Sequence, residues 1–72
     1  MYHLNFFDEN LYNQLTTVSG NPLITIKKFS LSYGSKYFPV VELANYIGTT
    51  ISDLQFLLYD LTELGFINYD DD

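Results

Sequence analysis

Cysteine is absent from these 72 residues, which excludes disulfides, thiolate metal sites and cysteine nucleophiles. Arginine is absent as well. Three lysines, Lys27, Lys28 and Lys36, face nine carboxylates, for a net charge of −6. Proteins that bind nucleic acid draw much of their affinity from Lys and Arg neutralising phosphates. A phosphate backbone therefore repels this chain at long range, and a cationic protein surface attracts it. The single histidine, His3, argues against zinc, which needs several nitrogen or sulfur ligands. No run of about 18 apolar residues occurs, so no membrane span is expected. The opening MYHLNFFDEN lacks a basic segment followed by an apolar one, so it does not read as a secretory signal. These absences lead to the expectation of a soluble cytoplasmic protein without metal or cofactor. Met1 is taken as the natural start of a complete small chain.

A chain of this length suits one domain, and its core is small, because short chains bury a lower fraction of their surface. With disulfides and metals excluded, self-association or docking on a partner is the remaining support. Seven Tyr and six Phe are more than a three-helix core can hold. Some are therefore expected at the surface, where aromatics commonly anchor interfaces.

Leu4, Phe7, Leu11, Leu15 and Val18 recur at spacings of three and four, an apolar helical stripe. Asp8 and Glu9 suit a helix start and Gly20 an end. The spacing predicts a helix from about Asp8 to Ser19, an N-terminal extension over residues 1–20 whose first residues are extended or frayed. Phe6 and Tyr12 fall off the stripe and become interface candidates. Asn21-Pro22 then pairs an N-cap with a proline at the first helical position. Pro22, Ile26, Phe29 and Tyr33 continue at helical spacing up to Gly34. The β-branched Ile24-Thr25-Ile26 and the alternation of Phe29, Leu31 and Tyr33 offer a competing β-hairpin over residues 23–38. Tyr37-Phe38 reads as a short strand ended by Pro39.

Val41 to Ile47 forms a second helix of the core, with Leu43, Ala44 and Ile47 facing inward and Gly48 at its end. Thr49 or Thr50 caps the next helix, and Asp53 lies in its first turn. Ile51, Leu54, Leu58 and Leu61 make that helix's inward stripe, flanked by Leu57 and Leu64. Gly65 stops it. Phe66-Ile67-Asn68-Tyr69 reads as a strand able to pair with Tyr37-Phe38, and Asp70, Asp71 and Asp72 form a solvated acidic tail.

ELANYIG, a two-residue turn and ISDLQFLLYDLTELGFI together resemble the winged helix-turn-helix superfamily. The matching positions are Glu42, Leu43, Ala44, Ile47, Gly48, Leu54, Leu58, Leu61, Gly65, Phe66 and Ile67. The preceding LITIKKFSLSYGSKYFP is similar to the entry into the N-terminal winged-helix domain of the DnaD primosome proteins. The resemblance covers about 45 residues and implies a mainly α fold. Three to four helices and a minimal two-stranded sheet would form a single domain, with the winged-helix core at residues 21–69 and the tail at 70–72. Such folds host many functions. In DNA-binding members the third helix enters the major groove with basic and polar side chains. The corresponding positions here are Ser52, Asp53, Gln55, Phe56, Tyr59 and Asp60, which include two acids, two aromatics and no cation. The chain also has one strand and three aspartates where a basic wing hairpin would stand.

Catalysis finds little support. Asp60 and Glu63 can be paired on a helix face, but acid–base work needs carboxyls in a cleft with separated pKa values. Gly34 and Gly48 are isolated helix ends, not a phosphate loop. His3 is placed in a mobile terminus and read as an exposed or packing residue. The expected function is a non-catalytic protein-interaction module, with Asp53, Gln55, Phe56, Tyr59, Asp60 and Glu63 binding a partner that has a cationic surface, or a second copy in a homodimer. In size and acidity the chain resembles the small phage or mobile-element inhibitors of host defence, anti-CRISPR proteins among them, acting in the host cytoplasm as nucleic-acid mimics. The competing expectation is a DNA-binding transcriptional or replication regulator whose dimer collects Lys27, Lys28 and Lys36 on one face.

Overall fold

A computed structural model describes residues 2–16 and 20–70. Its elements are β1 (His3–Phe6), α1 (Glu9–Gln14), α2 (Pro22–Tyr33), β2 (Phe38–Pro39), α3 (Val40–Ile47), α4 (Ile51–Glu63) and β3 (Ile67–Asp70). The fold is α-rich, but its sheet has three strands in the order β2-β1-β3, not two.

The N-terminal residues were expected to be extended or frayed ahead of a helix starting at Asp8; residues 3–6 are extended, and they form the middle strand of the sheet, a pairing the sequence did not suggest. β1 runs antiparallel to both neighbours, with Leu4 opposite Phe38 on one side and Tyr69 on the other. Phe66-Ile67-Asn68-Tyr69 was expected to pair with Tyr37-Phe38, but β1 lies between them. Val40 N–H to the Tyr2 carbonyl (2.8 Å) and Phe7 N–H to the Phe66 carbonyl (3.1 Å) extend the pairing beyond the strand ends. Extended backbone sends alternate side chains to opposite faces, so Leu4 and Phe6 are buried together. Phe7, which helical spacing would have put inward, is 66% exposed.

Asp8 then starts α1, its carboxylate accepting from Asn10 N–H at 2.8 Å and Leu11 N–H at 3.4 Å. The helix runs only to Gln14, and Leu15 is already extended. The expected continuation reaches Thr17, Val18 and Ser19, which lie outside the described residues. Phe6 and Tyr12, proposed as surface residues, are core residues whose rings meet edge-on at 4.8 Å.

The segment 22–33 is helix, not hairpin. Asn21 Oδ1 accepts from Leu23 N–H at 2.9 Å, Pro22 occupies the first turn, and Gly34 closes the helix at φ 93°. That local chemistry outweighs the β-branched triplet: Leu23, Ile26, Phe29 and Ser30 are buried at helical spacing, and the alternating Leu31 is exposed. α3 begins one residue earlier than expected, at Val40, and buries Val40, Leu43 and Ala44. Ile47 points the same way but is 43% exposed, because it ends a two-turn helix beyond the elements that cover the stripe. Leu54, Leu58 and Leu61 of α4 are buried and Ile51 packs at the core's edge, whereas Leu64 is exposed. The core thus lies between one face of the sheet and the inner sides of the helices.

Candidate functional site

α4 is positioned by strong local signals at both ends. Thr50, not Thr49, supplies the N-cap oxygen, which accepts from Asp53 N–H at 3.2 Å. At the other end Gly65 takes φ 80°, a left-handed conformation that glycine adopts without steric penalty, and turns the chain into β3. With Leu54, Leu58 and Leu61 inward, the direction of every other side chain on the helix is set.

At about 100° per residue, Ser52, Asp53, Phe56, Tyr59, Asp60 and Glu63 share the outward face. All six are exposed, and Phe56, near the centre of the group, is 78% exposed. Gln55 is the exception among the expected site residues. It is half-buried and turned to the sheet side, where its amide Nε2 donates to the Tyr69 hydroxyl at 3.1 Å. The Tyr69 ring lies 5.5 Å from Tyr59 and 5.7 Å from Tyr2. Gln55 thus positions the aromatic flank of the face and does not belong to the face itself.

Asp53 suits the first turn of α4, but the other two carboxylates run against helix stability. α4 has no basic residue in its last turn, where Asp60 and Glu63 face the negative end of the helix dipole. They also sit three residues apart, a repulsive spacing for like charges. Each such placement costs a few tenths of a kcal/mol. Among the described residues no lysine pairs with Asp60 or Glu63: the ion pair joins Lys36 to Glu9.

Two of the three lysines gather elsewhere, around Tyr12. Lys36 Nζ lies 4.6 Å from the Tyr12 ring centre and Lys27 Nζ 5.1 Å, and Lys27 also donates to the Leu15 carbonyl at 2.9 Å. Beneath them the Tyr12 hydroxyl and Ser30 Oγ are 2.9 Å apart. Ser30 gives its own proton to the Lys27 carbonyl at 2.8 Å, so Tyr12 is the donor to Ser30. The sequence placed these lysines together only across a dimer and gave no sign of the Tyr12–Ser30 pair. The signal for the grouping was the acid-free run from Asn10 to Val41, which contains all three lysines.

His3 belongs to the sheet. Its ring stacks on Tyr37 at 4.8 Å and 6°, so it is a packing residue of β1. Among the described residues no three His, Cys, Asp or Glu side chains gather to hold a metal ion, and no helix is long and apolar enough to cross a membrane. No known family model matches the chain, and neither a curated protein nor a solved structure does.

Proposed function

We propose that this chain is a non-catalytic protein-interaction module that presents the outer face of α4 to a cationic surface on a protein partner. Phe56 carries the reading: a large apolar side chain, 78% exposed, stands among Asp53, Asp60 and Glu63. A central aromatic within a charged rim is the usual arrangement of an interface hot spot. The three carboxylates would speed encounter with a basic surface and make it sensitive to salt. In its narrower form, the module occupies the cationic nucleic-acid channel of a host enzyme as an inhibitor, carried by a phage or another mobile element.

The same reading treats α3, the turn at Gly48 to Thr50, α4 and β3 as a winged helix-turn-helix turned to protein binding. The antiparallel partner of β3 is β1, from the other end of the described chain, and not a neighbouring strand of a wing hairpin. The second reading, a DNA-binding dimer, draws on the convergence of Lys27 and Lys36 at Tyr12, with Lys28 adjacent in sequence.

Two measurements separate the readings. Fluorescence anisotropy with plain duplex DNA at about 0.15 M salt, where non-specific electrostatic binding is weak, is expected to show no sub-micromolar complex; such a complex would favour the regulator. Affinity capture followed by mass spectrometry is expected to return a basic protein that Phe56→Ala and Asp60→Lys both release. Equal capture by wild type and both variants would remove α4 as the binding face.

A further inference from the structure

Charge is sorted along this chain. The three lysines lie in the acid-free run from Asn10 to Val41, and seven of the nine carboxylates follow from Glu42 onward, where no lysine occurs. The fold converts this order into two separate surfaces, the acidic face of α4 and a basic cleft between α1 and α2. Two hollows of about 250 and 180 Å³ open along that cleft and share Leu31 as a wall; Lys36 borders the first, and Lys27 and Lys28 the second. Each is smaller than the roughly 300 Å³ at which small-molecule pockets begin, a size that suits a protruding side chain better than a cofactor. Leu31 is 64% exposed. Lys36 is paired with Glu9, but among the described residues Lys27 gives one of its three donors, to the Leu15 carbonyl, and Lys28 is exposed.

We propose that the occupant of this cleft is a second copy of the chain, joined head to tail. Phe56 of one copy seats against Leu31 of the next, with Asp60 and Glu63 directed to Lys27 and Lys28. The inference rests on the outer face of α4 being a binding face, and it names one occupant of that face. Because the two patches differ, the contact is heterologous: each added copy leaves an acidic face at one end and a basic cleft at the other, until the two ends of an assembly meet in a ring. A cationic partner competes with the neighbouring copy for the same α4 face, so partner binding dismantles the assembly.

Sedimentation velocity across a dilution series tests the arrangement. The average mass of the wild type is expected to rise with concentration at about 0.05 M salt. It should return to monomer at about 0.5 M, where the screening length falls well below 10 Å. Leu31→Glu alone, and Phe56→Ala combined with Asp60→Lys, are each expected to stay monomeric under low-salt conditions where the wild type associates. An equimolar mixture of the two variants should then form a one-to-one dimer that does not grow, because one intact cleft meets one intact α4 face. Circular dichroism checks that each variant folds, and Lys28→Glu replaces Leu31→Glu if the latter does not. A wild type that is monomeric at every concentration overturns the proposal. So does a folded cleft variant that assembles like the wild type, or a mixture that stays monomeric. These results leave the α4 reading standing if Phe56→Ala still releases the captured basic partner; if it does not, both fall.

Discussion

The floor of the sheet and the outer face of α4 each hold a phenylalanine among tyrosines, and the two are used in opposite ways. Phe38 on β2 has no exposed surface. Its ring meets Phe29 edge-on at 4.8 Å and lies 6.1 Å from Tyr33, and Phe29 in turn contacts Tyr46 at 5.3 Å. Phe56 on α4 stands in solvent, with carboxylates on its own helix face. Neither residue type nor local hydrophobicity separates the two. The separation comes from what packs on each: Phe29 of α2 meets the Phe38 ring and Leu4 of β1 lies opposite it, whereas no described residue covers Phe56. In so small a protein, a high aromatic count therefore measures core and surface together, and stability should follow only the covered part.

The first prediction breaks the covered side. Phe38→Ala removes a fully buried ring, and such truncations cost about 3–5 kcal/mol. Domains have about 5–15 kcal/mol in total, and one of this size sits at the low end. Circular dichroism is expected to show no cooperative melting transition above room temperature for this variant. A sharp transition within a few degrees of wild type would mean that Phe38 does not anchor the core.

The Tyr12–Ser30 pair tests the same side at lower cost, with an asymmetry that depends on the direction of the bond. Ser30 is 1% exposed, so Ser30→Ala leaves the Tyr12 hydroxyl without its acceptor, a loss of roughly 1–3 kcal/mol. Tyr12→Phe removes the donor while Ser30 keeps its bond to the Lys27 carbonyl, and should cost only about 1 kcal/mol. The double variant is expected to be less destabilised than the sum of the two, which urea titration of all four proteins can resolve. Equal single effects with strict additivity would contradict the assigned direction.

Thr50→Ala is expected to cost about 1 kcal/mol through loss of the α4 cap, and Thr49→Ala appreciably less. Thermal melts of the pair check this. The two threonines also mark the limit of what the sequence made legible. Signals carried by adjacent residues read correctly: Asn21-Pro22 and Gly34 bounded α2, Gly48 ended α3, and Leu54, Leu58 and Leu61 gave the buried side of α4, and hence Phe56 as outward. What failed needed distant residues. The run from Leu4 to Leu15 satisfies a helical period, while Leu4 and Phe6 also satisfy a strand period. Only pairing with β2 and β3, more than thirty and sixty residues away, decides between them. That choice moved Phe6 and Tyr12 from surface to core. Gln55 was misplaced for a similar reason: its partner, Tyr69, lies on a strand whose position depends on β1.

Phe56→Ala should have the smallest effect on stability and is the most direct test of the contrast with Phe38. A side chain that is 78% exposed loses little burial on truncation, and alanine is a better helix former than phenylalanine. Surface changes of this kind fall within about 0.5 kcal/mol, so the melting temperature should stay within a few degrees of wild type or rise slightly. The same substitution should weaken partner binding at least tenfold, equivalent to about 1.4 kcal/mol, within the range lost when an interface anchor is truncated. Stability and affinity would then be separated at one residue, the reverse of Phe38, where both should disappear together. A loss of melting temperature approaching that of Phe38→Ala would place Phe56 in the core and remove the centre of the proposed face. Unchanged affinity in a folded variant would leave the carboxylates without an aromatic anchor. The interface would then have to be sought among the other exposed aromatics, Tyr46 on α3 or Phe7 beside β3.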